Sequence, residues 1–248
     1  MRIGLLAGTG RLPALLAERA GFHARVDLHR WTKPLGAVEA LVDTLQSQGC
    51  DALCFAGGVD RAQFIGLDAG GQWIMEQLND PDVGDSALLD ALVAYVEERG
   101  LRVVGAGDVL PDLRTPSGTL SGTRPAGVQE GLARARALGL RDVGQAVVTA
   151  TDGRWFEEDA AGTDALMARA ADAFAADAGQ LKLFKAAKPQ QDLRVDMPAW
   201  GLETVQTALR YGFEALVFEA DRTLALDLEP ALALAKEGGL SIVGEPVS

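Results

Sequence analysis

The densest concentration of chemically capable side chains lies late in the chain, in LKLFKAAKPQQDLRVDMPAWG at 181–201. Lys182, Lys185, Lys188 and Arg194 stand there beside Gln191, Asp192 and Asp196. Cations in such a run can hold phosphate, and a nearby carboxylate can bind a divalent metal or activate water, as phosphoryl chemistry requires. Pro189 places Lys185 and Lys188 at a strand end or in a loop rather than on a helix. The same pattern also describes a solvated strand edge whose lysines discourage pairing with another chain.

Three further segments carry polar or glycine-rich signals. Gly162-Thr163-Asp164 opens a helical stretch, where Gly162 or Thr163 would cap and free N–H groups would meet a phosphate. Glu157, Glu158 and Asp159 just before it read as a solvated acidic loop, with metal binding as the sharper alternative. Gly8-Thr9-Gly10 and Gly57-Gly58 each follow an apolar run, and glycine permits both positive φ and close approach of a ligand to the backbone. GTGRLP has two glycines of the dinucleotide fingerprint, and Asp27 lies where a ribose-binding acid would sit. Pro13 replaces the third glycine, so an NAD site, a general anion turn and a purely structural turn all remain open. His23 and His29 are too isolated for a metal site or a triad. Cys50 and Cys54 lack partners at zinc spacing and read as small core residues in a reducing compartment.

The elements that must position these residues alternate. Strands are expected at 2–7, 24–28, 51–56 and 101–104, with helices from Pro13, over 36–48 and over 86–99, the last capped by Asp85 or Ser86. Repeated β-α units imply a mostly parallel sheet, with ligands outside the strand carboxyl ends. Residues 108–127, rich in Pro, Gly, Ser and Thr, read as a linker or long functional loop. Beyond them come a helix over 128–137, a strand pair at 145–150 and 154–157 joined by Asp152-Gly153, and a helix over 163–178. Strand and helix patterns then resume at 181–185, 204–210, 215–219, 230–236 and 240–243. The expected architecture is α/β with two domains, an N-terminal Rossmann-like parallel sheet over 1–122 and a C-terminal catalytic α/β domain over 123–248.

Composition limits the function classes. The 248 residues are 48% hydrophobic and 23% charged, values of a globular chain and not of a disordered one. With 23 Lys and Arg against 35 Asp and Glu the formal charge is −12, which argues against wrapping nucleic acid. Any anionic ligand must therefore meet local donors. The N-terminal apolar run is too short for a signal segment or a membrane span, so a cytoplasmic protein with at most peripheral membrane contact is expected.

Seven segments in order, LLAGTGRLP, CFAGGVDR (54–61), GDSALLDAL (84–92), DVGQAVV (142–148), GTDALMARA (162–170), KAAKPQQDLRVDMPAWG (185–201) and LSIVG (240–244), resemble the LpxI-type UDP-2,3-diacylglucosamine pyrophosphatases of lipid A biosynthesis. The resemblance implies hydrolysis of UDP-2,3-diacylglucosamine to lipid X (2,3-diacylglucosamine 1-phosphate) and UMP. Water would attack the α-phosphorus with Mg²⁺ or another divalent cation present. It further implies two domains clasping the substrate, a peripheral position on the inner face of the inner membrane, and a homodimer as one arrangement to consider. Its essential aspartate falls on Asp196, as base or metal ligand. Substrate contacts fall on Gly10, Leu12, Gly57, Gly58, Thr163, Asp164, Lys185, Lys188 and Arg194. Four positions depart from the family pattern: Ala62 where Pro is usual, Ala161 where Glu is usual, Trp200 in place of an aliphatic residue, and Asp221 where Gly is usual. An NAD(P)-dependent oxidoreductase and a non-catalytic lipid or nucleotide carrier are the rival functions.

Overall fold

A computed structural model describes residues 1–78, 85–150, 152–174 and 180–247. The chain packs as two compact units, Met1–Pro111 with Asp192–Asp196, and Asp112–Gln191 with Met197–Ser248.

The first unit contains β1 (Ile3–Ala7), α1 (Arg11–Arg19), β2 (Ala24–Asp27), α2 (Val38–Ser47), β3 (Ala52–Ala56), α3 (Ala69–Gln77), α4 (Asp85–Glu98), β4 (Arg102–Val104) and the short α5 (Ala106–Val109). Its sheet is parallel with strand order β2-β1-β3-β4. Apolar residues at helical spacing on α2, namely Val38, Leu41, Val42 and Leu45, pack with Ile74 of α3 and Val96 of α4 against Leu6, Val26, Leu53 and Val103 of the strands. Both cysteines are buried free thiols, and burial pushes that of Cys54 up to about 12.

Helix α3 has no counterpart among the expected elements because Gly70 and Gly71 disguise it. The backbone explains them: a Cβ on Gly70 would collide with the Tyr95 hydroxyl and the backbone of Glu39. Asp85 and Ser86, expected as the cap of α4, already lie inside that helix, and the residue before it falls outside the described residues.

The second unit contains β5 (Gly118–Ser121), α6 (Val128–Leu140), β6 (Ala146–Thr149), β7 (Trp155–Glu157), α7 (Gly162–Ala173), β8 (Leu181–Lys185), β9 (Ala199–Gly201), α8 (Leu202–Arg210), β10 (Phe213–Glu219), β11 (Leu224–Leu226), α9 (Leu228–Glu237) and β12 (Ser241–Glu245). Six strands form a mixed sheet in the order β5-β12-β10-β8-β6-β7, and β9 pairs with β11 separately. Alternation along the strands serves two faces. Val147, Phe184, Val217 and Val243 meet Leu132 and Leu138 of α6, whereas Val148, Leu183, Leu216 and Ile242 meet residues of α7, α8 and α9.

Residues 108–127 are more ordered than a linker. β5 lies antiparallel to β12, so 118–121 form an edge of the second sheet. Its sequence, GTLS, is half exposed and lacks the apolar alternation that would reveal a strand. The hairpin expected at Asp152-Gly153 joins β6 and β7 as an antiparallel pair. The end of the helix expected to run to 178 lies outside the described residues beyond 174.

One carboxylate orders two helix starts in the first unit. Asp68 accepts from Gly71 N of α3 at 2.9 Å and from Glu39 N and Ala40 N of α2 at 3.2 and 2.9 Å. Burial alone would raise its pKa, but these backbone donors outweigh burial and hold it below the ordinary carboxylate value. Its stabilisation is therefore complete above the unfolded-state value of about 3.9 and is lost as pH falls through the folded-state value. Asp68→Ala should cost about 2 kcal/mol at neutral pH, read as a lower urea midpoint. That gap should close as the medium is acidified below about pH 4.

Candidate active site

In the first unit the strand order reverses between β1 and β3, and the chain leaves those strands through Gly8-Thr9-Gly10 and Gly57-Gly58. A crevice outside strand carboxyl ends at such a reversal is where open α/β sheets bind ligands. The two turns lock onto each other. Thr9 N donates to Gly58 O at 2.8 Å, Gly58 N donates to Thr9 O at 3.0 Å, and Gly8 N donates to Ala56 O at 2.8 Å. Gly57 has φ 85°, and any Cβ there would run into Thr9 O and Pro13. The structure thus brings Gly10, Leu12, Gly57 and Gly58 around one turn, but the N–H groups of Gly8, Thr9 and Gly58 are already bonded to it. Helix α1 begins directly afterwards, with Gly10 at its N-cap and no side-chain cap.

Beside this turn lies a cavity of about 350 Å³ whose walls include Leu6, Leu41, Phe55, Leu88, Leu92 and Val195, with Gly8, Gly57, Gly58 and Asp196 among its lining. A second cavity of about 420 Å³ shares Gly8, Leu28, Gly58 and Val59 with it and adds Thr9, His29, Asp60 and Gln63. A largely apolar slot adjoining a second cavity that adds Thr9, His29, Asp60 and Gln63 suits an amphiphilic ligand.

Asp196 is carried by a tight turn. Asp192 O accepts from both Val195 N and Asp196 N at 3.1 Å, and Asp192 Oδ1 accepts from Arg194 N at 2.9 Å. Arg194 donates through Nε and Nη2 to Asp192, at 3.1 and 2.7 Å, and through Nη1 to Glu97 of α4 at 2.7 Å. The guanidinium holds the Asp192 carboxyl below its usual range. Arg194, expected among the substrate contacts, is thus engaged in ordering the turn that presents Asp196.

In the second unit Lys185 ends β8, an interior strand between β10 and β6, so the edge-strand explanation of its lysines does not hold. Lys185 Nζ donates to Thr163 Oγ1 at 3.1 Å and to Ala199 O at 3.2 Å. Thr163 and Asp164 lie in the first turn of α7, whose N-cap is Ala161 with no side-chain cap. Thr163 is not the expected cap, because its hydroxyl donates to Glu158 Oε1 at 2.5 Å. Lys188 pairs with Asp142, just beyond α6, at 2.5 Å, and Lys182 lies 3.8 Å from Glu214. The basic run of the sequence is therefore distributed over separate partners and not pooled in one cluster.

The acidic loop resolves into three roles. Glu157 pairs with Arg141 at 2.5 Å, and Asp159 pairs with Arg169 and accepts from Ala161 N at 2.9 Å. Glu158 is buried, contrary to its expected solvation, and accepts from Gln145 N at 2.7 Å. Among the described residues no three His, Cys, Asp or Glu side chains converge as a metal cage. Mg²⁺ is commonly held by one or two carboxylates together with substrate phosphates. Asp196 fits a cation shared with a phosphorylated ligand, not a centre built by protein alone.

Residues 21–113 match the family model described as the LpxI N-terminal domain, and residues 117–243 match that of the LpxI C-terminal domain. The chain is 34% identical over 271 residues to "UDP-2,3-diacylglucosamine pyrophosphatase LpxI" of Caulobacter vibrioides, covering 98% of this chain and 97% of that protein. The chain belongs to the LpxI family. A solved structure described as "Structural genomics, protein ybgI, unknown function" aligns over 97% of this chain and 70% of that one, at 12% identity and a TM-score of 0.20, and carries no argument.

The positions at which this LpxI chain departs from the family pattern have local explanations. Asp221 has φ 59°, a left-handed conformation in which glycine is at ease and Asp is among the better tolerated replacements. Ala62 donates its N–H to Asp60 Oδ1 at 2.9 Å, a bond that proline at this position would lack. Trp200 lies in the second unit's core, stacked on Phe218 at 4.4 Å, with Nε1 donating to Thr115 Oγ1 at 2.8 Å. It is a packing residue there.

Glu219, which sequence reasoning passed over, anchors the loop that follows β8. It is 1% exposed, accepts from Ala187 N at 2.9 Å, and pairs with Arg136 of α6 and with Arg222. No sequence signal marks it, since an acidic residue at a strand end usually faces solvent. Removing it strands a half-buried arginine and a buried backbone donor. Glu219→Ala should lower stability by about 3 kcal/mol in urea unfolding, well beyond the effect of an exposed carboxylate.

Proposed function

We propose that this protein hydrolyses UDP-2,3-diacylglucosamine to lipid X and UMP; the name of its Caulobacter relative, a UDP-2,3-diacylglucosamine pyrophosphatase, supports the substrate. The observation that carries the proposal is a carboxylate, Asp196, lining an apolar cavity beside the interlocked glycine turns. The apolar cavity accepts acyl chain, and the adjoining cavity, with Thr9, His29, Asp60 and Gln63 on its walls, accepts the sugar and nucleotide portion. Asp196 orients a water and takes its proton as the water oxygen bonds to the α-phosphorus. The bond from that phosphorus to the bridging oxygen breaks, and 2,3-diacylglucosamine 1-phosphate leaves. Taken by itself, the second unit offers Lys185 and the backbone N–H groups of Thr163 and Asp164 at the start of α7 as donors suited to phosphate oxygens. A divalent cation held by Asp196 and the substrate phosphates would offset charge on those oxygens when bound.

The oxidoreductase alternative finds no support in the first unit. Asp27, which would take the ribose, is tied to Arg25 at 2.5 Å. In ¹⁸O-labelled water with Mg²⁺, the label should appear in UMP. Asp196→Ala should abolish turnover while retaining lipid substrate. Label in lipid X, or undiminished turnover by the variant, would remove this mechanism.

We also propose a peripheral position on the membrane that supplies the substrate. Among the described residues no helix is long and apolar enough to cross a membrane. The loop after β3 exposes Val59 and Ile65 by 53% and 65%, and Val59 lines both cavities. Gly36 N donates to Ile65 O at 2.9 Å, which seats this loop against the segment carrying the exposed Arg30 and Lys33. Apolar side chains flanked by cations favour an anionic bilayer surface. Ile65→Glu should weaken binding to phosphatidylglycerol-containing vesicles about ten-fold in a sedimentation assay, from the loss of one inserted aliphatic side chain.

A further inference from the structure

Lys185 can hold a diphosphate in a fixed place only if its four-carbon stem is itself held. The structure supplies a buried relay for this. Glu158 follows β7, is 7% exposed, and uses both carboxylate oxygens, Oε2 from Gln145 N at 2.7 Å and Oε1 from Thr163 Oγ1 at 2.5 Å. Chemistry fixes the direction of every bond. A carboxylate cannot donate, so the Thr163 hydroxyl proton points to Glu158, and an ammonium cannot accept, so the Thr163 lone pair faces Lys185 Nζ at 3.1 Å. Ala199 O takes a second ammonium proton at 3.2 Å. Without the carboxylate the hydroxyl would rotate freely, and the ammonium would lose one of these two fixed acceptors.

We infer that Glu158 is a positioning residue for Lys185, fixing its ammonium through the Thr163 hydroxyl. The inference rests on the reading that Lys185 holds the substrate diphosphate. It goes beyond that reading by giving a role in turnover to a buried residue outside the substrate contacts. Buried charged networks of this kind are worth more than pairwise sums suggest, and a double-mutant cycle is the measurement that separates coupling from scaffolding.

The cycle combines Glu158→Ala with Lys185→Met, reading kcat/KM on UDP-2,3-diacylglucosamine. Thr163→Val, which keeps the side-chain shape and cuts the relay in its middle, runs the same cycle should Glu158→Ala fail to fold. In the wild-type background each cut should lower kcat/KM about ten-fold, in the same kinetic constant that Lys185→Met affects. In the Lys185→Met background the further loss should be under about two-fold. If Lys185→Met falls beneath detection, Lys185→Arg takes its place. A loss that multiplies fully in both backgrounds overturns the relay alone and leaves Lys185 its phosphate. Wild-type turnover by Lys185→Met overturns the phosphate role of Lys185 and the relay together.

Discussion

The carboxylate we propose as the reacting group sits on a five-residue excursion of the chain, and a reacting group must be held to within a fraction of an ångström. Residues Asp192–Asp196 leave the second unit and pack within the first. Such a short segment has no secondary structure to stiffen it, so its rigidity comes from Asp192. The carbonyl of that residue collects two backbone donors and its carboxylate collects a third, together with the Arg194 guanidinium. Each bond alone is modest, about 1 kcal/mol. Their convergence on one residue is what removes the conformational freedom of the turn. Gly105 completes the seat, since a Cβ there would approach the Arg194 Cα to 3.1 Å.

The glycine turns obey a second constraint, mutual locking. A pair of loops that bond to each other cannot also offer those N–H groups to a ligand, so the crevice gains rigidity at the expense of donors. The cavity they border is accordingly apolar, and polar recognition falls to a few side chains and to the first turn of α1. This division accounts for a sheet that looks like a dinucleotide binder in topology yet keeps Asp27 on Arg25 and puts Pro13 against Gly57.

Much of the fold was legible from periodicity. The parallel strands β1, β3 and β4 follow from apolar runs closed by glycine, and β6 and β7 from an Asp-Gly turn. What stayed hidden were elements whose sequence serves a neighbour. Helix α3 contains Gly70 because Tyr95 crowds it, and β5 is polar because it is an exposed edge. The candidate site was legible in its residue types but not in its pairings. Lys185, Lys188 and Arg194 read as one cationic run, and the fold assigns them to Thr163, Asp142 and Asp192 respectively. Glu158 and Glu219 were illegible for a common reason: burial of a carboxylate depends on distant donors, and no local pattern announces them.

Carboxylates that face the protein's own donors also bear on how a chain of charge −12 can receive an anion. Asp68 accepts from Gly71 N, Asp108 from Gly105 N, Asp192 from Arg194 N, Glu158 from Gln145 N and Glu219 from Ala187 N. In each case the negative oxygens face backbone dipoles of the protein, and in two cases an arginine as well. Oriented dipoles at hydrogen-bond distance lower the potential a carboxylate projects outward, while distant surface charges are screened within about 10 Å at 0.1 M salt. Net charge therefore governs the long-range approach of a ligand, and the local orientation of a few carboxylates governs what it meets on arrival. An acidic protein whose carboxylates face its own donors is electrostatically compatible with a diphosphate, the ligand proposed for it.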